Sequence, residues 1–154
     1  FEENKTRPMG RNASGVRGVR LKDQKDEVVG MISVNDMDSD ILVVSENGYG
    51  KRSKLEDYRI TNRGGKGVKT ISITEKTGNL VSLKNVSDGD DLMIINKSGI
   101  AIRMEVNTLR VMGRATQGVR LINIKDNDSI AAVAKVVLDD QEVTDIEEID
   151  VVED

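Results

Sequence analysis

The sequence repeats itself with a period of about 51 residues, and this period constrains the fold more than any other feature. Gly15, Gly67 and Gly118 follow one another at steps of 52 and 51 residues, and each precedes Val and then Arg or Lys. Residues 40–44 and 91–95 are related by the same step of 51. Because repeats of this size are typical of solenoids and propellers, we expect small sheets that bury their faces by stacking on one another.

Within each period the sequence has the signals of short β-strands. The segment DILVVSENGYGKR is an apolar run, a turn at Asn47-Gly48 and a polar strand, and DLMIINKSGIAIR repeats it 51 residues later. Asn-Gly predicts a two-residue hairpin turn in which both central residues have positive φ. Residues 68–73 alternate in the manner of a further strand. We therefore expect an all-β fold with propeller-like blades of about four strands each.

The period also predicts the organisation of the chain. It gives repeat units of approximately 1–52, 53–103 and 104–138, followed by an acidic tail, 139–154. Two complete units and part of a third are too few for a propeller ring, which takes about four or more blades. We expect a partial, open arc whose ends expose apolar blade faces. The first residue falls inside a repeat and is not Met, which predicts that the sequence is a piece of a longer protein.

Several classes of function are excluded by composition. The chain has no His and no Cys, which removes disulfides, thiol nucleophiles and ordinary zinc sites. The absence of Cys fits a cytoplasmic location. No apolar run approaches the roughly 18 residues of a membrane span, so no membrane partner is expected. One Phe, two Tyr and no Trp argue against a protein that stacks single-stranded nucleic acid on aromatic rings.

The net charge of −4 conceals a basic body. Residues 139–154 contain nine acidic and no basic residues, whereas residues 1–138 contain 23 basic and 18 acidic residues. Two interpretations of the tail remain open. It is a solvated polyanion that competes for the basic surface, or it is a short helix that docks through an apolar stripe of Val143, Ile146, Ile149 and Val152.

The repeated segments GRNASGVRGVRL, NRGGKGVKTISI and GRATQGVRLINI suit a bent line of phosphates. Lys and Arg neutralise phosphates without regard to base sequence, and a repeated arc of them follows a curved duplex. The glycines either allow close backbone approach to a phosphate or take positive φ where strands cross between blades. The predicted DNA-binding residues are Arg11, Arg17, Arg20, Lys51, Arg52, Arg63, Lys66, Lys69, Arg103, Arg114 and Arg120.

No catalytic or metal site is predicted. RGGKG at residues 63–67 is not a phosphate-binding P-loop, because Gly follows the Lys and the required spacing is missing. The acidic pair Asp90-Asp91 reads as a solvated turn rather than a magnesium site. Tyr49 and Tyr58 are interpreted as packing or rim residues rather than nucleophiles.

The segments RPMGRNASGVRGVRL, DILVVSENGYGKR, NRGGKGVKTI and GRATQGVRL resemble the C-terminal domain of DNA gyrase A, over residues 1–137. The resemblance implies a six-bladed β-pinwheel, a propeller variant in which adjacent blades exchange strands. Such a domain wraps duplex DNA and supports ATP-dependent negative supercoiling by the whole enzyme, a type II topoisomerase. The implied partners are double-stranded DNA, the DNA gyrase B protein and the N-terminal part of the DNA gyrase A protein. The chain itself is expected to be no enzyme and to hold no cofactor, since ATP and Mg²⁺ are used by other parts of the holoenzyme.

The defining box of that family is QRRGGKG, and the sequence TNRGGKG at residues 61–67 matches its last five positions. The resemblance thus implies a box-like loop of Arg63, Gly64, Gly65, Lys66 and Gly67. Two alternatives remain: the related C-terminal domain of a topoisomerase IV protein, and a propeller that acts as a protein-interaction scaffold. A scaffold would show apolar or aromatic hot spots rather than a basic rim.

Overall fold

The structure, a computed structural model, describes residues 1–125 and 127–136. Its strands are β1 (Asp40–Ser45), β2 (Tyr49–Lys54), β3 (Leu80–Val86), β4 (Asp91–Asn96), β5 (Ala101–Glu105), β6 (Val119–Arg120) and β7 (Ile130–Val136). Three short 3-10 helices recur with the period of the sequence, at Glu3–Lys5, Leu55–Asp57 and Val106–Thr108. The predicted acidic tail, 139–154, lies outside the described residues.

Each hairpin of the fold is completed by strands from a later repeat. The first sheet has the order β3-β1-β2-β6 and the second has the order β5-β4-β7, with antiparallel pairing throughout. The strands that flank the β1–β2 hairpin therefore come from residues 80–86 and 119–120. The all-β prediction and the exchange of strands between repeats are confirmed. The first sheet has the expected four strands, and the second has three within the described part of the chain.

The hairpins turn at the predicted glycines but in a different geometry. The Gly48 amide donates to the Ser45 carbonyl oxygen at 3.1 Å, and Gly48 has φ +78° whereas Asn47 does not have positive φ. This is a three-residue loop with one left-handed residue at its end, so the prediction of two positive φ angles at Asn-Gly was wrong. The same loop recurs at Gly99, whose amide donates to the Asn96 carbonyl at 3.1 Å. A single left-handed glycine is enough to reverse the chain because a type I turn precedes it.

The strand predicted at residues 68–73 is not present. The equivalent residues of the next repeat form β6, which pairs with Tyr49 and Gly50 of β2. The partner that residues 68–69 would need lies about 51 residues before β2, at a position outside this chain. An alternating sequence becomes a strand only where a neighbour satisfies its backbone groups, so residues 68–73 stay outside both sheets.

Residues 1–39 contain no strand either. Residues 28–34 are the sequence equivalents of β3 and β7, each of which pairs with the first strand of the preceding hairpin. Several apolar side chains of this region are exposed, among them Val28, Val29, Val34 and, at 90%, Met31. Because no strand forms among these residues, the exposure of apolar blade faces at the ends of the arc stays a prediction.

An aliphatic core joins the two sheets. One face of β1 and one face of β4 supply Leu42, Val44, Leu92 and Ile94, and the same cluster includes Val86, Val106, Ile130 and Val133. The opposite face of β1 packs Ile41 and Val43 against Ile71, as the two-residue alternation of a strand requires. Each fully buried aliphatic side chain contributes about 1.5–3 kcal/mol. The two sheets pack together without closing a ring, in agreement with the predicted open arc.

Candidate nucleic-acid interface

The first and second basic segments lie side by side. The Gly64 amide donates to the Gly18 carbonyl at 2.7 Å, and the Arg20 amide donates to the Gly65 carbonyl at 2.8 Å. The Arg63 guanidinium donates to the Arg17 carbonyl at 2.6 Å. The box-like loop is therefore attached to the preceding basic segment through its backbone and through Arg63.

The second and third segments are joined by equivalent contacts. The Arg114 guanidinium donates to the carbonyl oxygens of Lys69 and, at 3.1 Å, Asp57. The Ser72 amide donates to the Thr116 carbonyl at 3.2 Å. Arg63 and Arg114 thus perform the same linking task one period apart. The three segments form one continuous row because each loop is bonded to the segment before it.

The third segment also docks on the edge of β2. The Met112 amide donates to the Arg52 carbonyl at 2.9 Å, and Val119 pairs with Gly50. Gly118 has φ +83°, and a Cβ atom there would lie 2.5 Å from the Gly50 carbonyl oxygen. The predicted positive φ of Gly15, Gly67 and Gly118 is confirmed. Residues 113–117, here called the third loop, leave the β2 edge between these two attachments.

Lys51 points into the third loop and is only 1% exposed. Its Nζ donates to the carbonyl oxygens of Gly113, at 2.6 Å, and Arg114, and to Thr116 Oγ1 at 3.3 Å. An ammonium group has three donors, so these three acceptors satisfy it fully. Burial, and secondarily the Arg114 charge, lower the Lys51 pKa to about 8, while Asp57 opposes this shift.

The neighbouring Arg52 is also inside the fold, at 8% exposure. Its Nη1 lies 2.6 Å from Asp88 Oδ1 and its Nε lies 3.3 Å from Asp40 Oδ2. The sequence analysis predicted Lys51 and Arg52 as DNA-binding residues. Burial and pairing of both cations contradict that assignment, since residues 111–120 cover the edge of β2.

Arg120 belongs to a cluster built from all three repeats. Its Nε and Nη2 donate to Tyr49 Oη at 3.2 and 2.8 Å, and its Nη1 donates to Asn123 Oδ1 at 3.0 Å. The guanidinium lies 5.4 Å from the centre of the Tyr49 ring, and Lys76 Nζ lies 5.3 Å from it. The hydrogen bond from Arg120 lowers the pKa of Tyr49. Sequence reasoning missed Lys76 because it lies outside the repeated basic segments.

The remaining predicted DNA-binding residues differ in whether their side chains have a partner within the protein. Arg103 is half-exposed and pairs with Asp91 at 2.6 Å. Five exposed cations make no side-chain hydrogen bond or ion pair to any described residue: Arg11, Arg17, Arg20, Lys66 and Lys69. All five belong to the first and second basic segments, so these segments offer the most accessible positive charge of the row.

Two other properties concern the described residues alone. No group of three or more side chains of the metal-binding types occurs among them. None of the helices in residues 1–125 and 127–136 has the length and apolar character needed to cross a membrane.

Antiparallel sheets that exchange strands between 51-residue repeats define a propeller-like repeat domain. Residues 2–35, 39–87 and 90–136 match the family model of the DNA gyrase C-terminal domain, described as a β-propeller. The chain belongs to this family.

Relatives of known name agree with this membership. The chain is 47% identical over 156 residues to the DNA gyrase A protein of Staphylococcus aureus strain MRSA252, in a match that covers 100% of this chain. It spans 17% of the length of that relative. A solved DNA gyrase A C-terminal domain matches with a TM-score of 0.78 at 29% identity, over 88% of this chain and 45% of that one. The C-terminal domain of a DNA topoisomerase IV matches with a TM-score of 0.82 at 22% identity, over 89% of this chain and 42% of that one, and shows a shared fold.

Proposed function

We propose that this chain is a duplex-DNA-binding and DNA-wrapping module of a DNA gyrase A protein. The observation that carries the proposal is the continuous row of three basic segments, each bonded to the one before it through Arg63 and Arg114. Five exposed cations on the row have no described protein partner, as a surface for phosphates requires. A protein that contacts only the charged phosphates of the DNA backbone binds DNA without base specificity.

A row spread over several repeats also suits a bent duplex. Bending a site of 20–30 base pairs costs on the order of 1–6 kcal/mol, which distributed phosphate contacts offset. The third segment is held on the first sheet by the pairing of β6 with β2, and hydrogen bonds from Arg114 and Arg63 join the second segment to the third and the first to the second. Cations that are held in place before DNA arrives reduce the entropy lost on binding.

The wider context is part of the same proposal. In it the chain performs no catalysis, and ATP and Mg²⁺ act in other parts of a cytoplasmic holoenzyme. The DNA gyrase B protein and the N-terminal part of the DNA gyrase A protein would be its protein partners. The 47% identity to a DNA gyrase A protein supports this context over that of topoisomerase IV, to which the likeness is one of fold.

A salt series tests DNA binding. The 154-residue chain is titrated with two 40-base-pair duplexes of unrelated sequence between 50 and 200 mM salt. If about four phosphates are neutralised, log K falls against log salt with a slope of about −3.6 for both duplexes. Lys69→Met should reduce the magnitude of that slope by about 0.9, whereas Lys97→Met, on the β4–β5 loop, should leave it nearly unchanged. Binding that ignores salt, or that prefers one duplex strongly, contradicts the proposal.

A second measurement separates wrapping from binding. Energy transfer between dyes at the two ends of a 100-base-pair duplex should rise when the chain is added, because a wrapped duplex brings its ends together. Saturated binding with no change in end-to-end distance would leave DNA binding in place and overturn the wrapping part of the proposal.

A further inference from the structure

The role of Lys51 follows from where its side chain ends. It belongs to β2, yet its ammonium group lies within the third loop, fully enclosed and bonded to three oxygens of that loop. A buried cation is costly unless every donor is satisfied, and here the loop supplies all three acceptors. An apolar side chain would fill the same space but would leave these three oxygens without a donor, so the ammonium group has the specific task of holding the loop.

That task extends beyond the loop. The third loop carries Arg114, whose guanidinium donates to the Lys69 and Asp57 carbonyls and so fixes the end of the second basic segment. Lys69 is one of the exposed cations without a described partner. A chain of bonds therefore runs from Lys51 through the third loop and Arg114 to Lys69.

We propose that Lys51 is a positioning residue for DNA binding, whose buried ammonium group holds the third loop so that the second and third basic segments present their cations in one line. This inference rests on the proposed function. Lys51 does not touch DNA; it acts through Arg114.

The charge of Lys51 depends on the groups around it. Arg114, on the third loop, and Asp57, in the 3-10 helix after β2, are the charged groups that influence it. Enclosure in the loop lowers the Lys51 pKa to about 8, so loss of the proton favours the enclosed loop over a loop that has opened to water. A rise in pH therefore does not release the loop, and the informative comparison is with Lys51→Arg, which keeps a cationic donor at this position.

The test compares Lys51→Met with Lys97→Met in the 154-residue chain. Both remove one positive charge, but Lys97 is an exposed residue of the β4–β5 loop. We expect Lys51→Met to weaken binding of a 40-base-pair duplex about tenfold at 100 mM salt, equivalent to about 1.4 kcal/mol, and Lys97→Met to weaken it less than twofold. Lys51→Arg, which keeps a cationic donor at this position, should bind more tightly than Lys51→Met. If Lys51 only fills space, Lys51→Met should bind as tightly as Lys51→Arg.

The outcomes are distinguishable. Absence of DNA binding by the unaltered chain overturns both the proposed function and this inference. Binding by the unaltered chain, with Lys51→Met and Lys97→Met equal in affinity, overturns this inference alone. If Lys51→Met does not fold, Arg114→Met decides, because Lys51 acts through Arg114. An Arg114→Met variant that binds DNA as tightly as Lys97→Met overturns the inference.

Discussion

Strands β2 and β5 occupy equivalent places in successive repeats but have very different surroundings. In β2 the first five of six residues are buried, whereas β5 alternates between exposed and half-buried residues along its whole length. The cause is whether another segment of the chain covers the outer edge of the strand. The third basic segment covers the edge of β2, and no described strand covers the corresponding edge of β5.

Equivalent positions in successive repeats therefore do not have the same surroundings. Lys51 is enclosed by the third loop, and the buried Arg52 pairs with the buried Asp40 and the exposed Asp88. Their equivalents in β5 are Ile102 and the half-exposed Arg103. An arginine at this position of the repeat is therefore buried where a later segment docks, as at Arg52, and half-exposed where none does, as at Arg103.

The sharpest test of this contrast uses the equivalent glycines Gly118 and Gly67. Both have positive φ, but a Cβ atom at Gly118 would lie 2.5 Å from the Gly50 carbonyl oxygen, whereas nothing lies within 4 Å of one at Gly67. Gly67→Ala should cost about 1–2 kcal/mol for the left-handed backbone alone. Gly118→Ala should cost about 4 kcal/mol, since the strand edge must also separate. Urea unfolding measures both, and equal losses would show that the third segment does not dock on β2.

The equivalent arginines give the next largest effect. Arg52→Met leaves the buried Asp40 carboxylate with the partly exposed Lys54 as its remaining partner, so we expect a loss of about 3 kcal/mol. Arg103→Met removes the half-exposed partner of the buried Asp91 carboxylate and should cost less, about 1–2 kcal/mol, because water reaches the Arg103 side of the pair. Thermal unfolding of the two variants in the same buffer provides the comparison. A larger loss of stability for Arg103→Met than for Arg52→Met would contradict the greater burial of Arg52 in the structure.

A smaller effect is expected from pH. The Lys51 pKa is lowered in the folded state, so between about pH 8 and its ordinary value of 10.5 the unfolded state binds more protons than the folded state. The free energy of unfolding must then rise with pH, by about 1 kcal/mol from pH 7.5 to pH 9. Lys51→Met should lack this rise. A free energy of unfolding that falls over this interval would contradict the lowered pKa of Lys51.

The smallest effect concerns Arg120 and its equivalent, Lys69. Arg120→Met removes the hydrogen bonds to Tyr49 and should lower the free energy of unfolding by about 1 kcal/mol. Lys69→Met removes an exposed cation and should change it by less than about 0.5 kcal/mol. Both should weaken DNA binding. A stability loss at Lys69 as large as that at Arg120 would mean that the second segment is anchored as firmly as the third.

Much of the fold was readable from the sequence because it depends on local signals. The 51-residue period located the hairpins, and the glycines at positions 15, 67 and 118 have the predicted positive φ. The exposed cations of the first two segments were also found, because a repeated Lys or Arg beside a glycine is a local pattern.

The errors share one origin, which is pairing between residues far apart in the chain. The strand predicted at residues 68–73 fails because its partner is not in this chain. Lys51 and Arg52 were assigned to the surface because nothing near them in the sequence shows that residues 111–120 cover them. Nothing local in the sequence shows that the Arg63 and Arg114 guanidinium groups bond to carbonyls of the preceding segment, and their contact with phosphate stays a prediction.

The pairing of β2 with β6 has a consequence for the order of folding. Tyr49 and Arg120 are 71 residues apart, so the first sheet cannot be completed until the third repeat has left the ribosome. At about 5–20 residues per second, the edge of β2 waits roughly 4–14 s during synthesis. Non-local strand pairing is slow to form, and an uncovered edge invites pairing with other chains. During that interval the nascent chain carries Lys51 and Arg52 in water, and these two charges protect the open edge until the segment that buries them arrives.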